Sequence, residues 1–275
     1  MSVISKLMNK SFLQRTISGI LLVLIALVTI ILGNDILFGT ILVISLIGVY
    51  EIYKIFGIEK GLPGITGYIA TVVYLFFVRL GFEEHLMPLF IGTLMVLMAV
   101  YVFTFPKYKA ETIMAAFFGI FYVTVMLTCI YRVRMLEGGV YLVWLIFLCS
   151  WGCDTCAYLV GVMFGKHKMS PVLSPKKSVE GGIGGILGAA LLGFIYVLIF
   201  GKKMTEISNP VVSVPVICAI AAVISQIGDL AASGIKRDHN IKDYGKLIPG
   251  HGGIMDRFDS VIFTSPVIYY LIMYL

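Results

Sequence analysis

From Gly228 to Ser260 the chain reads GDLAASGIKRDHNIKDYGKLIPGHGGIMDRFDS, a stretch rich in chemistry that the apolar runs on either side lack. It holds five acids (Asp229, Asp238, Asp243, Asp256, Asp259), five bases (Lys236, Arg237, Lys242, Lys246, Arg257) and two histidines, His239 and His251. Asp229 and Ser233 are four apart at the end of one apolar run, and Asp256 and Asp259 are three apart at the start of the next. On helices each pair shares a face, so two carboxylate faces flank one basic loop. One or two carboxylates, with the remaining positions left to water and substrate phosphates, are what Mg2+ prefers. The bases answer the opposite need, anion binding, and Gly250-His251-Gly252-Gly253 offers backbone N–H groups to a phosphate at a helix N-terminus. A charged loop that only holds topology would explain the bases. It does not explain acids at the edges of apolar runs, where a charge carried to the bilayer centre costs about 2.5–3.5 kcal/mol.

A second group begins with Ser150-Trp-Gly-Cys-Asp154-Thr-Cys-Ala-Tyr158. Asp154 lies roughly 14 Å from the cytoplasmic end of its apolar run at 1.5 Å per residue. Ser150 and Tyr158, four residues away on either side, share its helical face. An acid at that depth must meet a partner, a metal or water; the plain reading is a carboxylate held by hydroxyls between helices. Gly161 to Lys166 is one residue short of a phosphate-binding P-loop, with His167 where Ser or Thr should stand, and is rejected as one. Next comes Ser174-Pro175-Lys176-Lys177-Ser178-Val179-Glu180-Gly181, then Gly182, Gly184, Gly185 and Gly188, whose four-residue spacing points to close helix contact rather than phosphate cradling.

Ser233-Gly-Ile-Lys236-Arg237, Lys242-Asp243-Tyr-Gly245 and Ile248-Pro249-Gly-His251-Gly252-Gly253-Ile-Met-Asp256-Arg257-Phe-Asp259, at these spacings, resemble the signature of the phosphatidate cytidylyltransferase (CDP-diacylglycerol synthase) family without departure. The Ser-Pro-Lys-Lys stretch resembles a second motif of that family, which usually continues Thr-x-Glu-Gly; here Ser178 keeps the hydroxyl without the methyl. Val162 stands where the family commonly has Arg, which puts one phosphate or headgroup contact in doubt. The resemblance covers about residues 150–260 and implies the reaction of CTP with phosphatidate to give CDP-diacylglycerol and pyrophosphate, at the cytoplasmic membrane face. It implies Mg2+, with room for a second cation, on Asp229 and Asp256, helped by Asp259 or Asp154. Lys236 and Arg237 would act in catalysis. Lys176, Lys177, Ser174, Ser233, Lys242, His251, Gly252, Gly253 and Arg257 would hold substrate. A homodimer is left open. The rival readings are another CTP-using membrane lipid or polyprenol transferase or kinase, and an ion-coupled transporter; the two halves show no matching interrupted spans of the kind transporters carry.

The elements that must position these residues are membrane helices. The chain is 59% hydrophobic and 13% charged, with a mean hydropathy of +1.00, against about 25% charged in soluble domains. Apolar runs long enough to cross about 30 Å of hydrocarbon occur near 16–33, 36–56, 63–80, 86–105, 112–131, 140–163, 182–200, 211–232 and 257–275. The expected fold is therefore an all-α integral membrane protein of about nine transmembrane helices. The third run carries Arg79, and the first, after Lys6, Lys10 and Arg15, lacks a small-residue cleavage site and reads as a span. A cytoplasmic N-terminus leaves only Arg79, Arg132, Arg134, Lys202 and Lys203 outside, of 21 basic residues. The net charge of +6 then belongs to one face, which suits anionic lipid and nucleotide; nothing points to nucleic acid. Residues 1–139 read as an N-terminal bundle of five helices, and 140–275 as a catalytic region of four with cytoplasmic loops 164–181 and 233–256. In the first half Glu51, between Tyr50 and Tyr53, reads as an interfacial anchor. The five cysteines lie in apolar runs without zinc spacing and read as reduced small hydrophobes.

Overall fold

The computed structural model describes residues 10–274, and side chains from Ile17 onward; Lys6 lies outside the described residues. Nine helices are present among them. These are α1 (Lys10–Leu32), α2 (Asn34–Ile55), α3 (Leu62–Leu80), α4 (Leu86–Thr104), α5 (Ala110–Met135), α6 (Gly139–Phe164), α7 (Val179–Phe200), α8 (Pro210–Asp238) and α9 (Met255–Tyr274). A two-stranded antiparallel hairpin, β1 (Lys168–Ser170) with β2 (Ser174–Ser178), is the one departure from an all-α fold. Seven helices, α2 to α8, are long and apolar enough to cross a membrane. The other two are α1, whose apolar part is Ile17–Leu32, and α9, which opens with Asp256, Arg257 and Asp259.

Two compact units divide the chain. The first comprises residues up to Thr128 together with Asp243–Arg257; the second comprises Cys129–Lys242 with Phe258 onward. Within the first, α2, α3 and α5 meet around Tyr53, which is fully buried and donates from its hydroxyl to Ala116 O at 2.5 Å. Gly67 and Gly119 leave room for its ring, since a Cβ on either would come within 2.6 Å of it. Thr71 and Thr124 hydroxyls pair at 3.0 Å in the same core. Arg79, the charge that weakened the third run, sits in the last turn of α3 and pairs at 2.5 Å with Asp35 in the first turn of α2.

In the second unit α6, α7 and α8 pack through small residues. Cys153, Ala189 and Ala222 form a fully buried cluster, and a Cβ on Gly185 would stand 2.9 Å from Cys153 Sγ and Ala157 Cβ and 3.0 Å from Cys153 O. Gly188 meets Cys156 in the same way, so the glycine run serves helix contact, as its spacing suggests. All five cysteines are free thiols, four of them buried.

One boundary and one internal turn differ from the sequence expectation. α8 runs to Asp238 rather than ending near 232, so Lys236 and Arg237 belong to its last turn, where the helix macrodipole favours cations. The chain then turns through Asn240 in a left-handed conformation. α6 contains a π turn at Leu148–Gly152. That turn alters the register between Ser150 and Asp154, and Ser150 donates back to Ile146 O at 2.9 Å. Asp154 and Tyr158 both lie in the regular helix from Cys153 on and keep their four-residue spacing on one face, with Tyr158 71% exposed.

Candidate active site

In the second unit four elements bring charge together. Strand geometry sends alternate side chains to opposite faces. On β2 this separates the two lysines: Lys176 is exposed, while Lys177 turns inward, and its Nζ forms an ion pair with Asp229 Oδ2 from α8. Ser233, one turn further along α8, donates to Asp229 Oδ1 at 3.5 Å, the face-sharing that the four-residue spacing predicts. On α9 the half-buried Asp259 has Asp229, Lys236 and Asp154 as its charged neighbours, and its Oδ1 accepts from Ser260 N at 2.8 Å. Ser260 Oγ in turn donates to Asp154 Oδ2 at 3.4 Å. The hydroxyl facing Asp154 therefore comes from α9. Asp154, Asp229 and Asp259 with Lys177 and Lys236 form one mixed-charge group; Arg237 is exposed on the helix flank and Ser174 half-buried at the start of β2.

The turn before α7 is held by its own polar groups. Ser178 is the N-cap, its Oγ accepting from Gly181 N at 3.1 Å. Glu180 accepts from Lys166 N at 3.1 Å, from His167 N at 3.2 Å, and pairs with His167 Nδ1 at 2.6 Å. The chain doubles back tightly enough that a Cβ on Gly165 would be 2.7 Å from Ser178 Oγ. His167, which spoils the P-loop pattern, is thus part of the scaffold that aims Lys177.

The glycine-rich loop belongs to the first unit. Ile248 and Gly252 bridge across a tight turn with Gly250 and Gly252 at φ of 78° and 86°, values that only glycine adopts readily. Asp256 is buried, and its Oδ2 accepts from Tyr244 N at 2.8 Å and Gly253 N at 2.9 Å. His251 Nδ1 lies 2.7 Å from Ser18 Oγ, which also donates to Pro249 O at 3.1 Å, so the histidine ties the loop to α1. Lys242 is exposed where the loop begins, and Arg257 is half-buried in the first turn of α9.

One further residue holds this loop, and the sequence reading took it for an interfacial anchor. Glu51 of α2 is 3% exposed; its two oxygens accept from Ile254 N at 3.1 Å and Met255 N at 2.9 Å. It also lines a cavity of about 350 Å³ with Ile47, Tyr50, Lys54 and Tyr244–Leu247. A signal was present: α9 starts after Gly-Gly-Ile, with no Ser, Thr, Asp or Asn to accept its first N–H groups, which leaves them open to a distant acceptor.

Among the described residues no three of His, Cys, Asp and Glu are clustered as a ready metal site. The donor chemistry still fits Mg2+, which takes hard carboxylate oxygens in ones and twos and leaves other positions to water and phosphate. A phosphatidate cytidylyltransferase of Bacillus subtilis (strain 168) is 32% identical over 94% of this chain and 97% of its own length. One of Staphylococcus haemolyticus (strain JCSC1435) is 29% identical over 94% and 98%. One of Staphylococcus aureus (strain COL) is 39% identical over about half of each chain, 49% and 50%. The model of the cytidylyltransferase family matches residues 13–275, nearly the full length, and the chain belongs to that family.

Proposed function

We propose that this protein transfers the cytidylyl group of CTP to phosphatidate, releasing pyrophosphate and leaving CDP-diacylglycerol in the membrane. The observation that carries the reading is end-to-end similarity to phosphatidate cytidylyltransferases, with the signature residues in place from Ser233 to Asp259. A phosphate oxygen of phosphatidate attacks the α-phosphorus of CTP, a new P–O bond forms, and the bond to the β-phosphate bridging oxygen breaks. The phosphate monoester has a second pKa of about 6, so its oxygen is largely ionised at neutral pH and needs no strong general base. The obstacle is anion approaching anion. Lys177 and Lys236, set among Asp154, Asp229 and Asp259, provide fixed positive charge against the phosphates, with Arg237 at the rim. Such positioned charge, more than covalent chemistry, is what phosphoryl transfer asks of a protein.

Mg2+, when bound, would neutralise the triphosphate and favour departure of pyrophosphate. Asp229, with Asp259 or Asp154 beside it, is the carboxylate assigned to hold it. The expectation that Asp256 binds a cation stands as a proposal of its own, separate from its hold on Tyr244 and Gly253. The positive-inside bias supports a cytoplasmic N-terminus and a reaction at the inner face. The test is incorporation of cytidine-labelled CTP into lipid by purified protein in phosphatidate-containing micelles. Product is expected only with phosphatidate and Mg2+ both present. Label appearing instead on a polyprenol, or turnover indifferent to phosphatidate, overturns the reading.

A further inference from the structure

We propose that Glu51 is a positioning residue for the cytidylyl transfer: a carboxylate from α2 that fixes the start of α9 and, through it, the glycine-rich loop. The proposal rests on the reaction assigned above. Glu51 sits in an apolar helix, where an ionised group must find strong partners. It finds them in the backbone: its two oxygens accept from Ile254 N and Met255 N, the amides where α9 begins. Carboxylates are favoured at a helix N-terminus both as acceptors and by the macrodipole. Ile254 itself has no side-chain acceptor, so the task falls to a residue about two hundred positions earlier in the chain.

The loop is shaped around this carboxylate. A Cβ on Gly253 would lie 2.3 Å from Glu51 Oε1 and 2.5 Å from Oε2, and one on Gly245 would lie 2.2 Å from Oε1. Two signature glycines therefore double as clearance for Glu51. Asp256 clasps the same segment from inside by accepting from Tyr244 N and Gly253 N. Glu51 touches no residue of the Lys177–Asp229 group through these bonds; it acts by holding the loop that carries His251, Gly252, Gly253, Asp256 and Arg257. Asp35, the other acid of α2, is already committed to Arg79, which leaves Glu51 as the acidic side chain of α2 that reaches the loop.

The test uses full-length protein in detergent micelles, with amide hydrogen exchange of the segment 250–258, steady-state kinetics and thermal stability. Glu51→Gln keeps the volume but turns an NH2 donor toward an N–H donor, so one of the two bonds is lost. Exchange over 250–258 is expected to quicken at least tenfold and kcat/KM for CTP to fall at least tenfold, with thermal stability and folded yield unchanged. Gly253→Ala is expected to lose activity alone, and to add nothing to the loss in Glu51→Ala, because the atoms it would strike are gone. Unchanged exchange in Glu51→Gln, quickened exchange with wild-type kcat/KM, loss of activity matched by loss of folded protein, or additive losses in the Gly253 pair would each overturn the proposal. Wild-type protein that turns over no CTP would refute the assigned reaction, while the exchange measurement still decides whether Glu51 holds the loop.

Discussion

At the scale of single residues, Lys177 and Asp229 behave as one unit. Their side chains are 26% and 22% exposed, so neither charge is fully hydrated and each depends on the other. Removing one leaves the other half-buried without its partner, at about 1.5–3 kcal/mol for a hydrogen bond to a charged group. Asp229→Asn and Lys177→Ala are each expected to lower kcat/KM at least a hundredfold. The double variant should be little worse than the poorer single one, because residues acting together are not additive. Kinetics on all three variants, with melting temperatures to confirm folding, check this; multiplying losses would separate the two roles. Asp154→Asn should be milder, since Ser260 Oγ can still donate to the remaining amide oxygen.

Those residues were legible to different degrees. The spacing Asp229-x-x-x-Ser233 was enough to put both on one face, because an uninterrupted helix leaves no other outcome. The same rule was disturbed between Ser150 and Asp154, where the π turn at Leu148–Gly152 intervenes and nothing in Leu-Cys-Ser-Trp-Gly announces it. Lys176 and Lys177 were equivalent while their segment was taken as loop; a three-residue and a five-residue strand are too short to read from apolar alternation, yet pairing decides which lysine turns inward. Glu51 was misread as an anchor because its partners are backbone amides; only the missing cap ahead of α9 pointed to an acceptor from elsewhere in the chain.

At the scale of elements, the link from hairpin to α7 depends on one hydroxyl. Ser178→Ala removes the N-cap on Gly181 N, a loss of about 1 kcal/mol, and loosens the strand that aims Lys177. Activity should fall several-fold while Ser178→Thr, which retains the hydroxyl, restores most of it; equal rates in the two variants would divorce the cap from catalysis. The α6 and α7 contact gives a matching test of packing. Gly185→Leu would drive a side chain into Cys153 and Ala157, and overpacking of this kind costs about 1–3 kcal/mol. A lower melting temperature is expected, against no change for Leu191→Ala, a residue 59% exposed on the same helix. For α2 to α8 the helix positions were readable because hydrophobic length marks a span. Ends were not, as the six further residues of α8 past Ala232 show: Ser233 to Asp238 are polar enough to read as loop, yet helical hydrogen bonding continues through them.

For the whole molecule, the distribution of charge makes the strongest statement. If the positive-inside bias sets orientation, the hairpin and the glycine-rich loop both face the cytoplasm. Single cysteines at Lys168 and Lys246, both exposed, in a cysteine-free background should be shielded from an impermeant thiol reagent added to intact cells and labelled after permeabilisation. Labelling of either from outside would reverse the orientation.

The length of α8 has a bearing on the lipid itself. Asp229 comes nineteen residues after Pro210 at the helix start, about 29 Å along the axis at 1.5 Å per residue, close to the roughly 30 Å thickness of the hydrocarbon. For an upright helix entered from the far side, that depth is the boundary where acyl chains end and phosphates begin. A phosphatidate held there reacts with its tails still solvated by neighbouring lipids. Lifting two chains of roughly thirty methylenes into water would cost about 24 kcal/mol at about 0.8 kcal/mol per CH2, more than any headgroup contact could offset. Placing Asp229 at this depth in a longer helix would spare the lipid that journey and let the soluble nucleotide do the travelling.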